Sequence, residues 1–367
     1  MRKRQPKDDA PDSDEFFYVT KDGFKDDTEL HDPILRAVDY PINEAIMGPI
    51  RDRYRRKRFG DAGWNEALHP RDPVGKFTRG GGGEHATTSG HVSNAAALYK
   101  APTKTADELI AEVPGADEAV ARARHRLMGV VETDKLVSQG GFKQADGTYT
   151  PERAAIHQKI VSEYINEDTI KKFSPEPGEA PLLTILGGRG GSGKGWLTSG
   201  ETAPIDARKS MVLDSDEIKG KLPEYKGWNA AQLHEEASDI VAMIDRRAGA
   251  LGLNVVLDGT LKSTSILKRV EVYQATPSHK YEMEGFYMYA SPETAARRAM
   301  GRFKTKKGDF SGRFVPPEVI LGNTKNESNF DAMTPNFRRW AVYDNNEEGR
   351  SEPRLVQRGG RLYQRKR

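Results

Sequence analysis

Nine residues, GGRGGSGKG from Gly187 to Gly195, constrain the fold of this 367-residue chain more than any other feature. They directly follow the apolar run Leu182–Leu186 and precede a stretch with helical character. Glycines allow the backbone angles and the close approach that let N–H groups wrap a phosphate. The positive end of the following helix points at the same anion. A plain glycine-rich turn is the alternative, but this order of strand, loop and helix favours a phosphate-binding loop.

The spacing within the loop agrees with this prediction except at one position. Gly188, Gly193 and Lys194 satisfy the pattern G-x-x-x-x-G-K, in which the lysine adds a positive charge beside the β- and γ-phosphates. The next residue is Gly195, where a Ser or Thr hydroxyl usually binds Mg²⁺. The predicted nucleotide contacts are Gly188, Arg189, Gly190, Gly191, Ser192, Gly193, Lys194 and Gly195.

Strand-like and helix-like segments alternate after the loop, which is typical of an α/β fold. We predict a phosphate-loop NTPase type of parallel sheet with helices on both faces. The predicted strands are Leu182–Leu186, Met211–Leu213, Leu253–Leu257, Met283–Ala290 and Trp340–Tyr343, and the predicted helices are Ala116–Glu132, Pro151–Lys172, Asn229–Ala250, Ser263–Gln274 and one that opens at Ser291.

Composition divides the chain into three parts. Residues 1–104 are predicted to form a low-complexity, mostly disordered arm that carries the basic cluster Arg51–Arg58 and the linker Gly80–Gly83. Residues 105–349 are predicted to form the folded domain, with a core at about 147–345 and a few helices before it. The basic tail, residues 350–367, is expected to fray.

Two predicted strands end in carboxylates. Asp214 and Asp216 follow the second strand, and Asp258 follows the third, with Thr260 close behind. The carboxyl ends of parallel strands line the ligand crevice, so these side chains are candidates for the site, with Asp214 as the metal ligand. The alternative is that Asp214 and Asp216 only cap a helix.

Cations follow on the next predicted helix and the segment after it. Arg297, Arg298 and Arg302 lie on the helix, and a basic segment, Lys304–Arg313, comes next. Such a segment can serve as a lid whose arginines neutralise phosphoryl charge. A solvated basic loop is the alternative, and we expect the lysines between Arg302 and Arg313 to be solvated.

Charge and residue usage exclude several classes of protein. Lys and Arg number 57 against 54 Asp and Glu, a net charge of +3 that disfavours nucleic acid as a partner. The absence of cysteine excludes disulfides, thiol catalysis and cysteine-bound zinc. No run reaches the roughly 18 apolar residues of a membrane span, and the basic, acidic and Pro-containing N-terminus does not fit a secretory signal. We expect a cytoplasmic protein without a membrane partner.

The ordered set of motifs resembles the zeta toxin kinases over roughly Gly147–Tyr343. The resemblance rests on TPERAAIHQKIV, LLTILGGRGGSGKG, VLDSDEIKGKLPEY, HEEASDIVAMIDRRAGALGLNVVLDGTLK, YASPETAARRAMGR and GRFVPPEVI, in that order. Upstream, WNEALHPRDPVGKFTRGGGG (Trp64–Gly83) resembles segments of tailed-phage head and portal proteins, which hints at a phage-encoded protein acting in the host cytoplasm.

The zeta toxin resemblance implies an activity and a role for each matching residue. Family members use ATP or GTP with Mg²⁺ to phosphorylate a small hydroxyl substrate, the well-known one being the 3′-hydroxyl of UDP-N-acetylglucosamine. By resemblance, Lys194 is the loop lysine and Asp216 the general base. Asp258 and Thr260 shape the substrate pocket, and Arg302 and Arg313 clamp the phosphates. The arm is then the place for an antitoxin or a phage partner.

Three departures keep alternatives open. Gly195 lacks the hydroxyl, Asp258 stands where the family usually has Glu, and Lys262 stands where Arg is common. The second hypothesis is a kinase for another small molecule or a nucleic-acid end, decided by pocket residues 223–232. The third is a non-catalytic phage structural or docking protein with a degraded phosphate loop.

Overall fold

Six strands form one sheet in the computed structural model, which describes residues 95–199, 202–275, 279–304, 312–347 and 352–364. The strand order is β2-β3-β1-β4-β5-β6, parallel from β2 to β5, with β6 antiparallel to β5. The predicted α/β fold is therefore confirmed as a mostly parallel sheet. The strands are β1 (Leu182–Gly187), β2 (Met211–Asp214), β3 (Val255–Asp258), β4 (Glu282–Tyr289), β5 (Arg339–Asp344) and β6 (Arg354–Gly359).

Helices precede, connect and follow these strands. They are α1 (Ala95–Leu98), α2 (Ala106–Glu112), α3 (Ala116–Leu127), α4 (Pro151–Tyr164), α5 (Glu167–Phe173), α6 (Trp196–Ser199), α7 (Ser215–Lys221), α8 (His234–Leu251), α9 (Ser265–Ala275), α10 (Pro292–Lys304), α11 (Pro317–Leu321), α12 (Asn326–Met333) and α13 (Arg361–Gln364). No helix in the described ranges is both long and apolar enough for a membrane span.

Helices cover both faces of the sheet, because successive side chains of a strand point to opposite faces. On one face, Leu186 of β1 and Phe286 of β4 share a buried cluster with Leu197 of α6. On the other face, Tyr287 of β4 packs against Phe330 of α12, with ring centroids 5.3 Å apart. The central strands are apolar on both sides for this reason.

The predicted helix Pro151–Lys172 is wrong in its length, because two helices occupy this range. α4 begins as predicted: Thr150 caps it, and the Thr150 hydroxyl accepts from the N–H of Arg153 at 3.4 Å. Asn166 then opens α5, where the side chains of Asn166 and Thr169 accept from each other's N–H groups at 3.0 Å. This reciprocal cap stops one helix and starts the next.

Two other predicted helices are shorter than expected. The helix predicted from Ala116 ends at Leu127, and Val131 beyond it is 40% exposed. The helix predicted from Asn229 begins at His234. The Asn229 side chain accepts from the N–H of Lys226 and donates to the carbonyl of Glu224, which folds this stretch into turns.

The expectation of a frayed C-terminal tail is wrong for residues 354–364. β6 pairs antiparallel with β5 from Trp340 opposite Gly359 to Asp344 opposite Arg354, with one register shift between Val342 and Tyr343. Without β6, the N–H and C=O groups along that side of β5 would lack strand partners, so pairing satisfies backbone groups near the core.

Residues 1–94, which include Arg51–Arg58 and Gly80–Gly83, lie outside the described residues, so the disordered arm stays a prediction. Residues 95–104, which the sequence places at the end of that arm, hold α1 and contact the folded domain. The N–H groups of Ala95 and Ala96 donate to the Asp331 carboxylate of α12. The contacts therefore begin before the predicted boundary at residue 105.

Candidate functional site

The glycine loop from Gly188 to Gly195 joins β1 to α6 at the carboxyl edge of the sheet. Gly188, Gly191 and Gly193 have φ angles of 143°, 97° and 88°, which side-chain-bearing residues rarely adopt. A Cβ on Gly191 would lie 2.2 Å from the carbonyl oxygen of Ala295 in α10. Glycine is therefore required here by both backbone angle and space.

Side chains from the loop and from β5 fix the shape of this loop. Lys194 Nζ donates to the Gly188 carbonyl at 2.9 Å and lies 3.7 Å from Asp258 Oδ1 at the end of β3. Asn345, directly after β5, donates from Nδ2 to the Ser192 carbonyl at 2.8 Å. The ammonium group of Lys194 thus lies between the loop and a strand-end carboxylate.

Arg189 is part of the loop, but its side chain points away from the loop's interior. Its guanidinium is fully buried and pairs through both terminal nitrogens with Glu327 of α12. Nη2 also donates to the Asn323 carbonyl at 2.7 Å. Only the main chain of Arg189 is left to face a phosphate, so its predicted nucleotide contact is limited to main-chain atoms.

Gly195 lies in open space. A Cβ at this position would meet nothing within 4 Å. The hydroxyls of Thr198 and Ser199 donate to the Gly195 carbonyl at 3.1 and 2.7 Å. These nearby hydroxyls therefore serve the helix backbone, and the position that usually supplies one has none.

Two strand-end carboxylates lie side by side. Asp214 ends β2 and Asp258 ends β3, and the two residues are direct partners in the parallel register. Burial, followed by the charge of Asp258, raises the pKa of Asp214 to about 6. Asp214 also caps α7 by accepting from the N–H of Asp216 at 2.8 Å, so the helix-cap alternative holds alongside any role in the site.

Asp216 lies between two cations. Its Oδ1 accepts from Lys219 Nζ at 3.0 Å, and its Oδ2 forms an ion pair with Arg313 Nη1. The side chain of Asp216 is 33% exposed, whereas that of Lys219 is nearly buried. The structure therefore brings two predicted site residues, Asp216 and Arg313, into direct contact.

The sequence also named Arg302, Thr260 and Arg297. Arg302 lies in the last turn of α10 with an exposed side chain. Thr260 follows β3, and its carbonyl accepts from Asn326 Nδ2 at 2.6 Å. Arg297 pairs with Glu112 of α2.

Sequence reasoning missed Lys219 and Asn345. Burial lowers the pKa of Lys219 to about 8, although the charge of Asp214 opposes the shift. Its spacing of three residues from Asp216 on one helix was a usable signal. Asn345 follows β5 as Asp258 follows β3, so the same argument about strand ends would have found it.

A buried ion network joins α4 and α8 to the loop formed by residues 223–232, which is the predicted acceptor side of the pocket. Arg153 Nη2 donates to Glu236 Oε2 at 2.8 Å, and Arg153 Nη1 contacts Glu224 Oε1 at 2.8 Å. His157 Nε2 lies 2.6 Å from Glu236 Oε1. The main chain of Gly227 accepts from the N–H of Phe314 at 3.1 Å, so this loop is tied to the residue after Arg313.

We expect the free energy of unfolding to decrease as pH falls from about 4.5 to about 2. Burial alone would raise the pKa of Glu236, but hydrogen bonds from His157 and Arg153 outweigh it and lower this pKa to about 2. A lowered pKa adds stability above the unfolded value of 4.5, and this stability is lost as the folded carboxylate is protonated. Urea unfolding across this pH range measures the effect.

Glu236→Gln should flatten this pH dependence and cost about 3–5 kcal/mol of stability at neutral pH, because Arg153 would lose its buried partner. Glu152→Gln, at the exposed position next to Arg153, is the matched control and should leave both quantities unchanged. An unaltered pH slope in Glu236→Gln would refute this assignment.

The sequence model of the family described as Zeta toxin matches residues 166–351, about half of the chain. No curated protein matches.

Among solved structures, the AvrRxo1-ORF1:-ORF2 complex with ATP is similar at 16% identity and a TM-score of 0.45, covering 59% of this chain and 73% of that one. A structure from the PezAT chromosomal toxin–antitoxin system of Streptococcus pneumoniae has 17% identity and a TM-score of 0.41, covering 57% and 81%. Nothing about this chain's activity follows from likenesses at these values. The family match does decide membership: the chain belongs to the zeta toxin family.

Proposed function

We propose that this protein transfers the γ-phosphoryl group of ATP or GTP to a hydroxyl of a UDP-N-acetyl amino sugar. The observation that carries the proposal is Asp216, a carboxylate held by Arg313 and Lys219 at the sheet edge that also carries Lys194. Zeta toxin family members are phosphotransferases, and membership supports a nucleotide-dependent kinase. The sugar-nucleotide acceptor is the finer part of the proposal.

The loop supplies the nucleotide's binding site. Its backbone N–H groups between Gly190 and Lys194 would hold the β-phosphate, and the Lys194 ammonium would lie against the β- and γ-phosphates. Arg313 pairs with Asp216 through Nη1, so the rest of its planar guanidinium can serve phosphate oxygens. Arg302 would approach from the exposed end of α10.

Asp216 would act as the general base. It accepts the proton of the acceptor hydroxyl while that oxygen forms a bond to the γ-phosphorus. The bond between the γ-phosphorus and the bridging oxygen breaks, and ADP or GDP leaves with that electron pair. Lys219, which is nearly buried, would keep the Asp216 carboxylate oriented during the transfer.

The carboxylates at the ends of β2 and β3 fit a magnesium ion. Mg²⁺ is usually bound by one or two carboxylates together with substrate phosphates and water. Asp214 and Asp258 are adjacent, and their mutual repulsion contributes to the raised pKa of Asp214, which a cation would relieve. When bound, the ion would neutralise the developing phosphate charge.

Replacing Gly195 by Ser is expected to keep the fold and tighten magnesium-dependent ATP binding by about fivefold. Position 195 has open space for a side chain, and its φ lies outside the left-handed region, so a serine there causes no strain. One added polar contact contributes about 1 kcal/mol, which is roughly a fivefold change in Kd. Calorimetric titration with ATP, with and without Mg²⁺, measures the change.

Gly195→Ala is the matched control, since it adds the Cβ without the hydroxyl. Equal ATP affinities for the Ser and Ala variants would mean that position 195 does not reach the ion.

The acceptor is tested with a panel of hydroxyl compounds and Mg-ATP, read by mass spectrometry. The panel contains UDP-N-acetylglucosamine, its 3′-deoxy analogue, free nucleosides and an oligonucleotide with a 5′-hydroxyl. We expect one added phosphoryl group on UDP-N-acetylglucosamine and none on the deoxy analogue. Transfer to another member would replace the sugar nucleotide as substrate, and ATP binding without any transfer would favour the docking-protein alternative.

Partner and location remain predictions of the same kind. An antitoxin or a phage protein is expected to bind the arm, whose residues 1–94 lie outside the described ones. A substrate such as UDP-N-acetylglucosamine would place the activity in the cytoplasm.

A further inference from the structure

Residues 95–104, here named the strap, lie outside the segment that matches the family and are held at both ends. The first two N–H groups of the strap donate to the Asp331 carboxylate of α12 at 3.0 and 2.9 Å. The N–H groups of its last two residues donate to Glu293 Oε1 of α10 at 2.7 and 3.2 Å. Charged acceptors make these hydrogen bonds stronger than neutral ones.

The middle of the strap lies against the buried arginine of the phosphate loop. The ring centroid of Tyr99 is 5.4 Å from the guanidinium carbon of Arg189. The main chain of Lys100 hydrogen-bonds to the side chain of Tyr289 at the end of β4. The strap thus places an aromatic ring beside a cation that has little access to water.

Arg189 has few ways to rearrange. Its guanidinium pairs with Glu327, which also accepts from the Tyr287 hydroxyl at 2.8 Å. The Nε of Arg189 is buried without a hydrogen-bond partner. Because an unpaired buried polar atom is costly, this side chain depends on its remaining contacts, and Tyr99 is one of them.

The position of Arg189 sets the position of the loop. The Arg189 carbonyl accepts from the N–H of Ser192 at 3.0 Å, which closes the first turn of the loop. Gly191, between them, lies against the main chain of Ala295 in α10, the helix whose first turn holds Glu293. The strap and α12 therefore contact Arg189, and α10 contacts Gly191 of the same loop.

We propose that the strap positions the phosphate loop for nucleotide, with Tyr99 and Arg189 as positioning residues whose side chains do not touch the nucleotide. The inference rests on the proposed nucleotide site. A loop that is less often in its binding geometry has a weaker apparent affinity, in proportion to the lost fraction. Loss of the ring should therefore change nucleotide affinity and not the transfer step.

The test is calorimetric titration of the full chain with Mg-ATP. Tyr99→Ala is expected to raise the Kd for ATP by about 3- to 30-fold, the range that a cation–π contact can supply. Tyr99→Phe keeps the ring and should restore the wild-type Kd. With an acceptor identified, the KM for ATP should rise while kcat and the KM for the acceptor stay constant.

A control within the strap separates positioning from a general loss of stability. Lys104→Ala removes a side chain whose ammonium pairs with Glu112, and it keeps the N–H that reaches Glu293. Its Kd should equal that of the wild type. Tyr99→Leu, which keeps apolar bulk without the ring, replaces Tyr99→Ala if that variant does not fold.

The outcomes separate this proposal from the one on which it rests. A Tyr99 variant with a lower melting temperature and an unchanged Kd would reduce the strap to a structural element and overturn the inference. Wild-type protein that binds no ATP would overturn the proposed function and this inference together. A raised Kd that Tyr99→Phe restores would support it.

Discussion

Asp216→Asn is expected to lower kcat for phosphoryl transfer by about 10²- to 10⁴-fold, the usual contribution of a general base. Asparagine keeps the size of the side chain and can still accept a hydrogen bond from Lys219, but it cannot take the acceptor's proton. The affinity for ATP should not weaken, because the change also frees Arg313 from its ion pair and leaves it available to the phosphates. Steady-state kinetics and ATP titration on the same preparation measure both quantities.

Glu217→Gln is the matched control for this change. It removes one negative charge from the same turn of α7, at the exposed position next to Asp216. Both kcat and Kd should stay at their wild-type values. If Asp216→Asn retained a kcat within a few-fold of the wild type, Asp216 would be no base, and the two cations around it would need another explanation.

Lys194→Ala should also lower kcat by about 10²- to 10³-fold, the loss seen when one preorganised hydrogen-bond donor to a developing anion is removed. The KM for ATP should rise as well, because the ammonium would contact phosphates before and during transfer. The fold should survive, since the Lys194 ammonium bonds only to the Gly188 carbonyl and Asp258 among the contacts described.

Lys209→Ala, an exposed lysine just before β2, controls for the loss of one positive charge and should leave the kinetics unchanged. Near-normal turnover by folded Lys194→Ala would contradict the loop assignment. A folded Lys194→Ala that binds no ATP would still agree with it.

Periodicity and apolar runs were sufficient to predict the parallel part of the sheet. The runs that became β1, β3 and β4 are buried on both faces, and such strands are evident from their apolar residues. β6 was missed because RLVQRG is mostly charged and polar, and only the neighbouring edge of β5 makes it a strand. The break at Asn166 was missed although Asn followed by acids is a known helix start.

Strand-end reasoning predicted that carboxylates gather at one edge of the sheet, but it could not predict contacts between residues far apart in the chain. Asp214 and Asp258 become neighbours because β2 and β3 are parallel and adjacent. The bond between Arg189 and Glu327 spans 138 positions, so no local pattern could tell that this loop residue turns inward. The contact of Tyr99 with Arg189 also joins residues that are far apart in the sequence.

The missing hydroxyl at Gly195 is the feature that favours a degraded phosphate loop over an active kinase. The rest of the loop has the positive φ angles of a phosphate-binding loop and a lysine held beside it, and the one-turn helix α6 follows. The adjacent carboxylates of Asp214 and Asp258 are the groups that we propose to hold a cation in the absence of that hydroxyl. These features support the proposed kinase over a degraded phosphate loop.

The most direct test is to incubate the full chain with γ-labelled Mg-ATP and UDP-N-acetylglucosamine and to follow the label. The wild type and Glu217→Gln should move the label onto the sugar nucleotide, and Asp216→Asn should leave it on ATP while binding ATP normally. Label that stays on ATP, or appears only as free phosphate, with the wild type would contradict a kinase acting on this acceptor. Equal transfer by Asp216→Asn would contradict the mechanism.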